Sequence, residues 1–279
     1  MPELPEVEAA RRVAQRVARG RRIVDVWCAD DPIVFERIPA ARWRRALRGR
    51  RVRAVKRHGK HLWFELDRRP WPCMHFGMTG GFHTPGRGTL RLVAHGKKGP
   101  GLTWPPRFVK LIVKFDDGGE LAFADARRLG RARLRVDPAA EPPISLLGFD
   151  AWRGLPPPAS FKRLVGARSS PMKALLLDQS FAAGVGNWIA DEALFQARIS
   201  PHRPASSLSA AEVAGLRRHL GAIVALAVKV LARKQEFPRG WLFHRRWGRD
   251  SRAQTLRAER IVHETIGGRT AAWVPSRQR

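Results

Sequence analysis

The sequence predicts an α+β protein of about two domains, and three observations predict it. Before residue 137, apolar and polar residues alternate in several short runs, the pattern of half-buried antiparallel strands. From Ser160 onward the apolar spacing becomes helical. Between them, residues 138–159 carry prolines at 138, 142, 143, 156, 157 and 158 and read as an interdomain linker. The 279 residues give enough chain for a sizeable core. The expected parts are therefore residues 1–137, a linker over 138–159, a helical part over 160–233, and a loop with a terminal hairpin over 234–279.

The first element is a helix. Pro5 suits a first helical position, Glu6 and Glu8 suit the positive end of the dipole, and Arg16 and Arg19 the negative end. Val7, Ala10, Ala14 and Val17 form its apolar stripe, and Gly20 closes it. Arg22 to Ala29 reads as a strand. Val52 to Leu66 reads as strand, turn and strand, with His58-Gly59-Lys60 as the turn. Leu111, Val113 and Phe115 alternate, and Asp116-Asp117-Gly118-Gly119 turns the chain into a partner strand over Leu121 to Ala124. Lys97 to Pro106 is a basic loop. In the helical part, Ser170 is expected to cap a helix with Pro171 at its first position, running from Met172 to Asp178. A glycine-bearing turn, Gly184-Val185-Gly186-Asn187, leads to a helix over Trp188 to Ala197. Ser209 and Glu212 form a capping box ahead of a long stripe of Val213, Leu216, Leu220, Ile223, Ala227 and Val230. Gly267-Gly268-Arg269-Thr270, between Arg260 to Thr265 and Ala271 to Val274, reads as a β-hairpin with an arginine at its tip.

Lys plus Arg number 53 against 24 Asp plus Glu, a formal charge of +29. A surplus that large and that rich in arginine fits a polyanion. An anionic membrane surface is the rival, without an amphipathic anchor or lipidation signal to support it. The acidic start lacks a signal-peptide core, and the apolar stretch Leu216 to Leu231 is interrupted by Arg217, Arg218, His219 and Lys229, so no membrane association is expected. Two cysteines, Cys28 and Cys73, give no disulfide framework and point to a reducing compartment.

Chemistry concentrates at Met1-Pro2-Glu3-Leu4-Pro5-Glu6. Removal of Met1 would leave Pro2 as a secondary α-amine, with an ordinary pKa of about 7.7–8.0. Condensed with a carbonyl or an anomeric carbon, such a nitrogen has no proton left to lose, so the product is a cationic iminium and an electron sink. Glu3 is placed to protonate a leaving group or ring oxygen. Taken alone, Pro-Glu at this position reads better as a helix entry.

Several separated motifs decide between these readings. MPELPEVE at the start, HGKHL at 58–62, HFGMTG at 75–80, DARRLG at 125–130, the helix–GVGN–helix of 171–197 and GGRT at 267–270 occur in that order. Together they resemble the formamidopyrimidine-DNA glycosylase and endonuclease VIII family of base-excision-repair enzymes. The resemblance implies an N-terminal β-sandwich with an N-terminal helix, and a helical domain with a helix–two-turn–helix motif ending in a β-hairpin finger. It implies a bifunctional DNA glycosylase and AP lyase that excises oxidised purines of formamidopyrimidine, 8-oxoguanine or hydantoin type and cuts the strand by β- and δ-elimination.

By that resemblance Pro2 attacks C1′, Glu3 acts as acid at the sugar, and Glu6 sets the site's hydrogen bonds. Lys60, otherwise a solvated turn lysine, binds the phosphate beside the lesion, and His75 and Asn187 are further phosphate contacts; Asn187 also suits a helix cap. Met78, Arg127 and Leu129 fill the gap left by a flipped nucleotide, with core packing as the alternative for Met78. Arg269 belongs to the finger. Many relatives build that finger on four cysteines and zinc, whereas RIVHETIGGRTAAWVPSRQR has none and resembles the zincless branch of plants and fungi. The hairpin is then expected to be held by packing through Trp273 and Val262, His244 and His263 to be structural, and metal and cofactor to be absent. The expected partner is double-stranded DNA with a damaged base or abasic site, met by a monomer in the nucleoid of a bacterium or the nucleus of a eukaryote. Two rivals remain open: a damaged-DNA-binding protein that has lost the chemistry, and an RNA-binding protein.

Overall fold

A computed structural model describes residues 2–85, 103–248 and 252–279. The chain divides into two compact units between Leu146 and Leu147, with Glu3–Pro5 counting with the second. The basic loop expected over Lys97 to Pro106 lies largely outside the described residues.

The first unit holds α1 (Leu4–Ala18), β1 (Ile23–Cys28), α2 (Ala40–Leu47), β2 (Val52–His58), β3 (His61–Leu66), β4 (Trp71–His75), β5 (Gly81–His83), β6 (Val109–Phe115), β7 (Glu120–Ala124) and β8 (Arg131–Arg135). They form two four-stranded antiparallel sheets, ordered β1-β6-β7-β5 and β2-β3-β4-β8. The alternation read from the sequence decides which faces meet. Leu62, Phe64 and Leu66 are buried while Trp63 and Glu65 are half-exposed. Phe82 crosses Phe64 and Phe76 edge-on at 5.8 and 5.1 Å between ring centroids, joining the sheets into a sandwich. Val7, Ala10 and Ala14 lay the stripe of α1 on this core.

The second unit holds β9 (Phe149–Asp150), α3 (Pro158–Gly166), α4 (Met172–Leu177), β10 (Ala182–Ala183), α5 (Asn187–Ala197), α6 (Ala210–Lys229), β11 (Val262–Ile266) and β12 (Arg269–Trp273). The proline-rich stretch is partly built into this unit: Phe149 and Asp150 pair with Ala182 and Ala183, and Pro158 opens α3. The capping box is present, with Glu212 N–H donating to Ser209 Oγ and Ser209 N–H to the Glu212 carboxylate. The stripe of α6 packs on α5 and α3, its Leu216, Leu220 and Ala227 fully buried.

Three local readings need correction. Ser170 does not cap α4: Pro171 occupies the cap position with extended dihedrals and no side-chain bond, and the helix ends at Leu177. Proline at the cap leaves the first turn to outside carbonyls, and Met172 and Lys173 N–H donate to Arg203 and Pro201. Arg269 is the first residue of β12 beside the turn, rather than its tip; Gly267 and Gly268 form the turn, both with positive φ. The hairpin is fastened by its other face. Ile261, Ala272 and Val274 enter a core with Phe195 and Leu242, while Val262 and Trp273 stay half-exposed.

Candidate active site

The chain's first residues are held by the glycine turn before α5. Leu4 N–H donates to Gly184 O at 3.1 Å. Glu3, 3 % exposed, accepts from Trp188 N–H at 2.8 Å and Ile189 N–H at 3.2 Å, so its carboxylate caps α5. The glycines make room for this. A Cβ on Gly186 would lie 2.3 Å from Glu3 Cδ, and one on Gly184, whose φ is +98°, would lie 2.6 Å from the Leu4 side chain. Pro2 is buried. Chain ends ordinarily fray; this one is bonded at the second and third residues after the methionine. Glu6 is half-buried in the first turn of α1.

The same helix fastens the finger. Asp191, 2 % exposed, accepts from Lys173 Nζ, from both Nε (3.0 Å) and Nη2 of Arg246, and from Ala272 N–H of β12 at 3.2 Å. Lys173 is fully buried and also donates to Asn187 O at 2.9 Å; burial pushes its pKa down, opposed by Asp191 and Glu3. Asn187 does not cap the helix, since Gly186 holds that position. Its Nδ2 donates to Thr270 O at 2.8 Å, beside Arg269. The turn rests on α4: a Cβ on Gly267 would lie 2.8 Å from Ala174 Cβ. Arg269 is exposed.

In the first unit, Lys60 sits in the turn joining β2 and β3 and is 7 % exposed, so it is not a solvated turn lysine. Arg57 bonds to Glu8 of α1 and, through Nη1, to Gly59 O at 2.8 Å, which fixes that turn. Burial works against the Glu8 carboxylate, but Arg11, Arg12 and Arg57 hold its pKa below the usual range. The His75 and His61 rings meet across β4 and β3, tilted by 31° with centroids 4.6 Å apart. Burial, with Lys60 nearby, pushes His75 down to about 4, and burial with His75 pushes His61 down to about 3. His75 Nδ1 accepts from Gly77 N–H at 3.2 Å, so the neutral ring carries its proton on Nε2 as a donor.

The HFGMTG and DARRLG turns are bound together by Asp125, 1 % exposed. It accepts from Thr79 Oγ1 at 2.7 Å, Arg127 N–H at 3.3 Å and Gly130 N–H at 2.6 Å. Backbone meets backbone between them, for a Cβ on Gly77 would lie 2.4 Å from the Leu129 carbonyl carbon. Met78 and Leu129 are 38 % and 40 % exposed, which removes core packing as the reading of Met78. Arg128, φ +55°, is folded down on Asp31 by three bonds of 3.0–3.2 Å; among the described residues the Arg127 side chain makes no such bond and is exposed.

The predicted residues thus fall in groups: Lys60 with His75, and Met78 with Arg127 and Leu129, in the first unit; Glu3, Asn187 and the Arg269 hairpin in the second. Sequence reasoning assigned no role to Asp125 or Asp191 and read Glu8 only as a dipole partner. The signal for Asp191 is the pair of acids, Asp191 and Glu192, inside the otherwise apolar WIADEALF. His244 and His263 each bond a backbone carbonyl, of Phe237 and Arg246. Among the described residues no three His, Cys, Asp or Glu groups lie as a metal site requires.

Residues 1–132 match the family model described as formamidopyrimidine-DNA glycosylase N-terminal domain, and residues 147–237 match that of the formamidopyrimidine-DNA glycosylase H2TH domain. The chain belongs to the formamidopyrimidine-DNA glycosylase family. It is similar to the Arabidopsis thaliana formamidopyrimidine-DNA glycosylase at 39 % identity, covering all of this chain and 71 % of that one. It is also similar to the enzyme of that name from Thermus thermophilus, at 38 % over 82 % of this chain and 77 % of that one. The solved MutM (Fpg) protein of Thermus thermophilus matches with a TM-score of 0.76 at 32 % identity, covering 99 % and 98 % of the two chains. A Lactococcus lactis formamidopyrimidine-DNA glycosylase bound non-covalently to DNA containing an AP site shares the fold, with a TM-score of 0.80 at 23 % identity over 99 % of each chain. Membership makes this a DNA glycosylase family protein, consistent with base-excision repair. Among the described residues no helix is long and apolar enough to cross a membrane.

Proposed function

We propose that the protein is a bifunctional glycosylase and AP lyase acting on oxidised purines in duplex DNA through a Pro2 iminium. The observation that carries this reading is the anchored N-terminus: Pro2 is buried and followed by a glutamate bonded through both carboxylate oxygens to the start of α5. A nucleophile must be held within a fraction of an ångström of its target, and a frayed terminus could not be.

With Met1 removed, the neutral Pro2 nitrogen attacks C1′, and the damaged purine leaves with the glycosidic electron pair, taking a proton from solvent. Main-chain N–H bonds at a helix start favour the ionised form of a carboxylate. Glu3 therefore first accepts the proton that the attacking nitrogen must shed. It then delivers this proton to the sugar ring oxygen as the C1′–O bond opens, leaving a cationic iminium beside a carboxylate. The iminium acidifies C2′. Loss of that proton expels the 3′ phosphate, and a second loss from C4′ expels the 5′ phosphate.

Lys60, His75, Asn187 and Arg269 serve DNA phosphates. His75 does so as a neutral Nε2–H donor, and Glu6 supports the hydrogen bonds of the site. Met78 and Leu129, left exposed at considerable apolar area, occupy the space of the flipped nucleotide, and Arg127 is the free guanidinium of the Arg127-Arg128 pair. Solved relatives are named as complexes with DNA containing an AP site or a formamidopyrimidine nucleotide, and DNA of that kind is the partner proposed here. Borohydride reduction during reaction with a lesion duplex tests the reading. The protein is expected to become covalently joined to DNA, and replacing Pro2 to abolish the joining. Undiminished trapping by the Pro2 variant would assign the chemistry to another amine.

A further inference from the structure

Away from the groups described above, the second unit carries a groove of about 450 Å³ lined by Arg198, Arg257, Glu259, Ser276, Arg277 and Arg279. Four arginines line it with one carboxylate side chain, that of Glu259. Glu259 accepts from Thr255 Oγ1 at 2.8 Å and pairs with Arg277 at 3.7 Å, and among the described residues Arg198, Arg257 and Arg279 have no carboxylate side chain paired with them. Like charges gathered in one groove repel each other unless an anion joins them. The guanidinium fork matches the oxygens of a phosphate in particular.

The main chain on one side of the groove is also pinned. Arg279 N–H donates to Arg198 O at 3.1 Å, and Ser200 N–H to Arg279 O at 2.9 Å, so the last residue is laddered onto residues 198–200. Gln278, 3 % exposed, locks the same turn by accepting from Val274 N–H and donating to Ile199 O. Arg277 lies over the Phe195 ring at 4.5 Å. The main chain that carries Arg198, Arg277 and Arg279 is thereby held in place. Arg198 ends α5, whereas Glu3 and Asn187 sit at its start; 11 residues at 1.5 Å each separate the two sites by roughly 16 Å.

We infer that this groove is a second phosphate-binding site of the protein, separate from the candidate active site and occupied by the phosphodiester backbone of nucleic acid or by a free phosphorylated molecule. The test uses the full chain and an Arg257→Gln/Arg279→Gln double variant whose thermal unfolding matches the parent. Inorganic tripolyphosphate titrated into the parent is expected to bind, and the variant to bind it at one site fewer. Undamaged duplexes about one and about three helical turns long then separate the two sources. If the occupant is DNA backbone, the longer duplex binds the variant on the order of tenfold more weakly at 0.1 M salt. Its salt slope then falls by about 0.9 per phosphate lost. The short duplex is unaffected. If only that tripolyphosphate site is lost, the occupant is a free phosphorylated molecule. Borohydride trapping on a short abasic duplex is expected to be unchanged, so this site and the Pro2 chemistry fail independently. Variant and parent equal on tripolyphosphate and both duplexes would overturn the inference, as would equal weakening on the short and long duplexes. The Arg257→Lys/Arg279→Lys pair keeps the charge and should retain the long-duplex binding.

Discussion

Each unit fastens a loop bearing candidate residues with one buried aspartate, and the two do it differently. Asp125 binds the Met78 and Arg127–Leu129 turns through a hydroxyl and two main-chain N–H groups. Asp191 binds the Arg269 hairpin through Ala272 N–H and is matched by two buried cations, Lys173 and Arg246. Neutral donors left behind when Asp125 is removed lose hydrogen bonds. Cations left behind when Asp191 is removed lose the only carboxylate the two of them share among the described residues. A buried charge without its partner costs far more than an unmade neutral bond.

The largest effect should therefore come from Asp191→Ala, which is expected to destabilise the second unit by about 3–5 kcal/mol in urea unfolding. A cost equal to that of Asp125→Ala would erase the distinction drawn above. Next comes Gly186→Ala, whose methyl would have to displace Glu3. Strand cleavage should fall on the order of 100-fold, the scale of a misplaced reacting group, with a much smaller loss of stability. Full activity would show that Glu3 need not sit on α5. Asp125→Ala follows, at about 2–3 kcal/mol for three bonds of ordinary worth. Excision of a base from duplex DNA should slow more than cleavage at an abasic site, where less has to be flipped; equal slowing would detach Asp125 from the wedge.

The smallest effects separate the units by pH. His75 and His61 stay neutral in the fold down to about 4 and 3, whereas in the unfolded chain they take protons near 6.5. First-unit stability in urea unfolding should fall as pH drops below 6.5. Glu192 runs the other way. Burial raises it to about 7, while it accepts from Phe243 N–H at 2.9 Å. It holds its proton in the fold and loses it in the unfolded chain above 4.5, so second-unit stability should fall as pH rises from 4.5 to 7. Glu192→Gln keeps the acceptor and should flatten that slope, by about 1 kcal/mol per pH unit at most; an unchanged slope would assign it to another group.

Much of this was legible in the sequence because it is local. Alternation marked β2, β3, β6 and β7, the capping box marked α6, and the paired glycines marked the hairpin turn. Strand β5 has three residues and α2 is mostly arginine and alanine, too little pattern for a period to emerge. The fastening of the site was out of reach for a different reason. Glu3 meets Trp188 across 185 positions, Asn187 meets Thr270 across 83, and Arg246 meets Asp191 across 55. Such contacts leave no spacing to read. The GVGN turn shows both sides of this: its glycines announced a turn, but only the fold reveals that Glu3 and Leu4 are what they make room for.

Which nitrogen holds the sugar decides the mechanism most directly. The borohydride-reduced complex with an abasic duplex, digested with nuclease and protease, should carry its deoxyribose remnant on the N-terminal peptide, with fragmentation placing the added mass on Pro2 and Met1 gone. The remnant on a lysine peptide, with the N-terminal peptide unmodified, would contradict it.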